Sequence, residues 1–164
     1  MGFVLLGAYR ALGLLNRVIM LVSMLAVIAS ASVLTLSVIQ RYFLKIATEW
    51  QDETAIFLLV GVTFLTGAAV QAKRGHVGIE AISSLLSPKA DLIRQRVGDF
   101  LSCLFCAFFA WKSWTLLMEA ITEGETTSST WGPPLWIPYS AMALGMTLVA
   151  LQLALQAALG EKAE

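Results

Sequence analysis

The side chains able to do chemistry in this 164-residue chain are few and scattered. Cys103 and Cys106 form a CxxC, His76 is the single histidine, and Lys112 and Asp99 interrupt a long apolar run. Acids gather at Glu49, Asp52 and Glu53 and again at Glu119, Glu123 and Glu125. A redox CxxC needs accessible thiols of lowered pKa, usually at a helix N-terminus. This one lies in the middle of an apolar run, so its cysteines read as small apolar residues. One histidine and two cysteines make neither a zinc set nor a pair of haem ligands. No nucleophile elbow or phosphate loop occurs, and no enzymatic activity is expected. His76, in a basic turn, reads as a polar cap to a helix end. Lys112 is the deep ionisable group, and such a residue is a functional candidate by default. A single lysine near an edge makes no ion path, and its stem can snorkel outward. Its expected partners are Glu119, roughly 10 Å further along the same helix, or Glu53 on another helix.

The elements that must position these groups are set by composition. Apolar residues make up 58% of the chain and charged residues 13%, against about half and about a quarter in a soluble domain. The apolar residues lie in blocks: Val18–Ile39, Thr54–Ala72, Val97–Met118 and Leu135–Leu159. Roughly 20 apolar residues cross the hydrocarbon core, so four spans are expected, over about 14–42, 52–73, 92–120 and 134–159. Connectors are too short for a soluble domain, and the runs lack the alternation of a β-barrel. One all-α integral membrane domain over residues 1–164 is predicted. The Ala29-Ser30-Ala31 sequence imitates a leader cleavage site, but the apolar run continues past it, which favours a retained first span. The first 16 residues either extend that span or lie in the interface.

Zero net charge hides a polarised distribution. One set of loops holds Arg10, Arg17, Lys73, Arg74, Lys89, Arg94, Arg96 and Lys162, whereas the other holds only Arg41 and Lys45. Lys and Arg mark the cytoplasmic side. Both termini are therefore expected inside, with the acid-rich connectors outside. Nucleic acid is not an expected partner.

Ser87-Pro88 is a helix start, with serine as N-cap and proline at the first helical position. Between spans 2 and 3, VGIEAISSLLSP can form a short helix lying in the interface, although an ordinary loop also fits. Thr63 and Gly67 are spaced to admit a neighbouring helix backbone. Pro133 and Pro134 can open the fourth helix, and Pro138 then falls in its first turn, where proline is tolerated. All five tryptophans, Trp50, Trp111, Trp114, Trp131 and Trp136, map to the outer half. An aromatic belt explains most of them, and the asymmetry leaves room for an outward docking surface.

Three patches carry a family resemblance. QRYF near Arg41 is followed by EWQDE around Trp50 and Glu53. FLTGAAVQAKRGHVGIE ends the second span with a basic turn, His76 and Glu80. TSSTWGPPLWIPY leads through Pro134 and Trp136 to Gly145. In order and spacing these resemble the small membrane subunit (DctQ-type, or Q subunit) of tripartite ATP-independent periplasmic (TRAP) transporters, over nearly the whole chain. Gly61, Thr66 and Ala143 depart from residues common at those positions in the family.

The resemblance implies an accessory scaffold subunit of a sodium-driven, binding-protein-dependent secondary transporter for organic anions. Its implied partners are a large polytopic permease subunit, a periplasmic substrate-binding protein and membrane lipids. Sodium would bind the large subunit, so no cofactor is expected here. The implied location is the bacterial or archaeal inner membrane. The residues carried over are Arg41, Trp50, Glu53, His76, Glu80, Pro134, Trp136 and Gly145, for interface and packing. The alternatives are a self-sufficient oligomeric transporter or channel, which would need a buried carboxylate or polar lining near the midplane, and a membrane anchor for a redox enzyme.

Overall fold

A computed structural model describes residues 2–72 and 87–159. Its helices are α1 (Gly2–Ile39), α2 (Glu49–Ala72), α3 (Pro88–Glu123) and α4 (Trp136–Leu159). Each contains a stretch long and apolar enough to cross a membrane. With 38 and 36 residues, α1 and α3 run well past the roughly 20 that a span needs. From Gly2 onward the N-terminal segment is continuous with α1. His76, Glu80 and the segment expected to form an interfacial helix lie outside the described residues.

Local signals explain the ends. Ser87 is the N-cap of α3, its hydroxyl accepting from Ala90 N–H at 3.4 Å, with Pro88 in the first turn. Gly124 closes α3 in the left-handed region at φ 66°, which costs glycine little. The last turn of α1 widens into a π-helical turn, Gln40–Leu44, stopped by Lys45 at φ 57°. Helix α4 starts at Trp136, two residues later than Pro134. The proline pair belongs to the preceding connector, where Thr127 N–H donates to Pro133 C=O (3.0 Å) and Leu135 N–H to Glu125 C=O (2.9 Å). These bonds close a small hairpin bridged at Thr126 and Pro134.

The helices stand in an open row, α1–α2–α4–α3, in which extensive packing joins only neighbours. Helix α1 touches α4 slightly, and α2 and α3 are separated by α4. A closed four-helix bundle would join the ends of this row. Here α1 and α3 keep broad apolar faces uncovered, including Leu25, Ile28, Phe100, Leu104 and Phe105.

Small residues make the seams. On α1 the buried positions Asn16, Ser23, Ser30 and Ser37 recur every seven residues, the spacing of a seam in left-handed helix packing. Ser30 donates to Ala55 C=O across the α1–α2 contact (3.3 Å). The α2–α4 contact is tighter. A Cβ on Gly145 would strike the backbone carbonyl group of Phe64, and one on Gly67 would lie 3.0 Å from Val149 Cγ2. Thr63 does not share in this contact; it is exposed and bonds back to Leu59 C=O (2.8 Å). Ala143 and Gly61, two of the departures from family pattern, also serve this region. Ala143 is fully buried, and a Cβ on Gly61 would touch Ala141 at 4.0 Å. Ala110, Ser113, Leu117 and Ala120 form the buried stripe of α3.

Candidate functional site

Polar chemistry concentrates at the end of the row that carries the Gln40–Thr48 turn and the Glu125–Leu135 hairpin. Arg41 is its hub. The widened turn places the guanidinium over the start of α2. There it donates to Thr48 Oγ1 through both Nε (3.2 Å) and Nη2 (2.9 Å), to Ser37 Oγ (3.3 Å) and to the carboxylate of Asp52. Ser37 Oγ donates in turn to Asp52 Oδ1 at 2.8 Å. Beside this cluster Gln51 Nε2 donates to Gln40 Oε1 (2.8 Å). Acids in the first turn of α2 also suit the helix dipole. Arg41 and Asp52 thus form a salt bridge between the π-helical turn and α2.

The neighbouring acids have different fates. Glu49 Oε2 accepts the backbone N–H of Thr130 (3.1 Å) and so ties α2 to the hairpin. Within the hairpin Ser129 Oγ accepts from Gly132 N–H at 3.1 Å. Glu53 has a buried carboxylate oxygen, Oε2, with no hydrogen-bond partner. It lines a cavity of about 320 Å³ with Phe57, Val60, Leu135, Pro138, Tyr139 and Met142.

The sequence expected Lys112 to pair with Glu53 or Glu119, and neither pair forms. The Glu53 pairing presumed adjacent helices, but α4 stands between α2 and α3. The Glu119 pairing has to bridge seven residues, roughly 10 Å. The ammonium instead lies over the Trp111 ring, 5.0 Å from its centroid, a cation–π contact.

Other expected residues separate into surface and packing. Trp50, Trp131 and Trp136 are about half exposed at the hairpin end. Pro134 and Trp136 border a shallow cavity of about 460 Å³ with Ile121 and Glu125. Trp114 Nε1 donates to Thr147 Oγ1 (3.1 Å), joining α3 to α4. Gly145 lies inside the α2–α4 contact, far from the hairpin. Cys103 and Cys106 are free thiols, half buried, and Cys103 Sγ sits 3.8 Å from Ala150 C=O. No group of three His, Cys, Asp or Glu able to hold a metal occurs among the described residues.

Sequence reasoning missed the polar residues that bond across seams. Gln71 Nε2 donates to Gln156 Oε1 (3.0 Å), and Gln156 Nε2 returns a bond to Gln71 C=O (3.1 Å) at the opposite end of the row. Gln71, Gln152 and Gln156 are almost fully buried within these spans. The available signal was their presence inside apolar spans, since side chains of this type hydrogen-bond between helices there. Asp52 and Ser37 had a similar signal: Ser37 is one turn before Arg41, and Asp52 opens α2.

A four-span helical row braced by polar ties, with a folded hairpin at one end, defines a multi-pass membrane component. The chain belongs to the DctQ component family of tripartite ATP-independent periplasmic transporters, whose family model matches residues 30–162. It is thus a TRAP transporter small membrane subunit, from a family of transporter components and not of enzymes. Neither a search of curated proteins nor one of solved structures found a match.

Proposed function

We propose that this chain is the static scaffold subunit of a sodium-driven, binding-protein-dependent transporter for organic anions. It braces a large permease subunit in the inner membrane of a bacterium or archaeon, and sodium and substrate bind that partner. The hairpin end faces the periplasm and contributes to docking of the substrate-binding protein, while both termini are cytoplasmic. The eight Lys and Arg assigned to the opposite side, against Arg41 and Lys45 at the hairpin end, support that orientation.

The observation that carries this reading is the open row. A helical unit that transports alone encloses a polar path, usually with paired ionisable groups near the midplane. This row instead leaves two broad apolar faces to its surroundings, and its seams are closed by glycine, alanine and serine. Such a shape suits a brace that widens a larger membrane protein.

Reconstitution in liposomes tests the proposal. Sodium-driven uptake is expected only when this chain, the large subunit and the binding protein are all present. Uptake by this chain alone overturns the scaffold reading.

A further inference from the structure

At the hairpin end the charged groups of the Gln40–Thr48 turn and the start of α2, together with Lys112 of α3, are engaged except one. Arg41 is taken by Asp52, and Glu49 by Thr130 N–H. Lys45 lies over the Tyr42 ring at 5.6 Å, and Lys112 over Trp111. Glu53 alone among these acids holds a buried oxygen without a partner, on the wall of the 320 Å³ cavity. Most of the remaining wall is apolar or aromatic, with Phe57, Val60, Leu135, Pro138, Tyr139 and Met142, and Thr127 adds one hydroxyl. A buried carboxylate oxygen left unpaired is costly, and a matching charge with further hydrogen bonds relieves that cost.

We propose that the Glu53 cavity receives one lysine or arginine side chain of the partner membrane subunit. The chemistry favours that occupant. A long basic side chain has an aliphatic stem for the walls formed by Phe57, Pro138 and Met142, and a cationic head for Glu53. Tyr139 adds a ring against which a cation is stabilised. A neutral apolar helix would fill the volume and leave the carboxylate unpaired. Among the described residues no basic side chain at the hairpin end reaches it, because Arg41, Lys45 and Lys112 are held elsewhere. The cavity is an anchoring socket beside the α2–α4 seam, whose rigidity fixes its shape. This inference rests on the scaffold reading and adds the charge and place of one contact within it.

The test compares wild type with Glu53→Gln in two settings. The first is the isolated chain in detergent, followed by size-exclusion and thermal unfolding. Gln removes an unpaired charge without changing shape, so the isolated variant is expected to be at least as thermally stable as wild type. The second is the complex with the co-expressed large subunit. There the same substitution is expected to weaken association by about ten-fold or more, because a basic head is left unpaired. Opposite signs in the two settings separate a lost partner from a misfolded chain. An unchanged affinity of Glu53→Gln for the large subunit overturns the inference while leaving the scaffold reading intact. Loss of co-purifying amine-headed lipid, with the large subunit still tightly bound, also overturns it, because a lipid amine is then the occupant. Failure of wild type to co-purify with the large subunit overturns both.

Discussion

The α2–α4 and α1–α2 seams join similar helices by different physics. Between α2 and α4 the backbones nearly touch, and the contact is set by the absent side chain of Gly145 against the Phe64 carbonyl. Between α1 and α2 a serine spacer recurs every seven residues, and hydrogen bonds from Ser30 and Ser37 cross the gap. Helices in lipid gain nothing from burying apolar surface against each other, so association relies on close packing and interhelical hydrogen bonds. This chain uses the first device at its centre and the second at its flank. The centre should therefore fail abruptly when sterically perturbed, and the flank gradually when polar groups are removed.

The sharpest way to break that contrast is Gly145→Val. The new branches cannot be accommodated by a rotamer change, since the obstacle is the backbone of Phe64. Overpacking a core typically costs about 1–3 kcal/mol, and a backbone clash should exceed the top of that range. Loss of a monodisperse size-exclusion peak is expected. Gly67→Ala is the matched control. Its new Cβ meets only the Cγ2 methyl of Val149, at 3.0 Å, and a cost of about 1 kcal/mol or less is expected. Equal damage by the two would remove the special status of Gly145.

Second in size is Gln156→Leu. Gln156 is 6% exposed and bonds both the side chain and the carbonyl of Gln71. Interhelical hydrogen bonds in membranes contribute about 0.6 kcal/mol on average and about 1.7 at most. Losing two donor–acceptor pairs should lower thermal stability by about 1–2 kcal/mol, with the α2–α4 contact otherwise kept. A larger loss would mean that the glutamines, and not the glycine, set this seam.

The spans were legible in the sequence because hydropathy and length dictate them, and the start of α3 was legible because Ser87-Pro88 is a local signal. Gly145 stood among the family residues expected at an interface or in packing, and the structure places it against the Phe64 backbone of the neighbouring helix. The order of helices was not. Nothing in the hydropathy of α3 says that α4 will separate it from α2, so Glu53, one of the two partners expected for Lys112, was placed on a neighbouring helix that does not pack against α3 extensively. At the site the sequence singled out Arg41 and Glu53 but named no partner for Arg41, and the structure pairs it with Asp52. That choice depends on the π-helical turn, which places the guanidinium over the first turn of α2. Neither composition nor periodicity encodes such a widening.

The polar flank is probed by Arg41→Met, Asp52→Asn and the double variant. Side-chain exposures of 58% and 39% place the pair largely in reach of solvent. Exposed ion pairs contribute about 0.2–1 kcal/mol, so each single variant should cost no more than about 1 kcal/mol. The double variant should cost less than the sum, and the effect should shrink with added salt. A coupling above that range would mean that Ser37 and Thr48 make the cluster a cooperative network and α1–α2 a stiffer seam than its serines imply.

The smallest effect is expected at Lys112. Its ammonium sits over Trp111 on the exposed face of α3, and neither Glu53 nor Glu119 pairs with it. An exposed cation–π contact contributes about 0.5–1 kcal/mol. Removing the charge from an apolar helix returns part of that in easier insertion, so Lys112→Met should change stability by less than about 0.5 kcal/mol. Uptake by the reconstituted transporter should be unaltered. Unaltered stability with abolished uptake would be the informative failure. It would show that the one deep charge of α3 serves transport after all, and that the apolar flank of the row is not a passive surface.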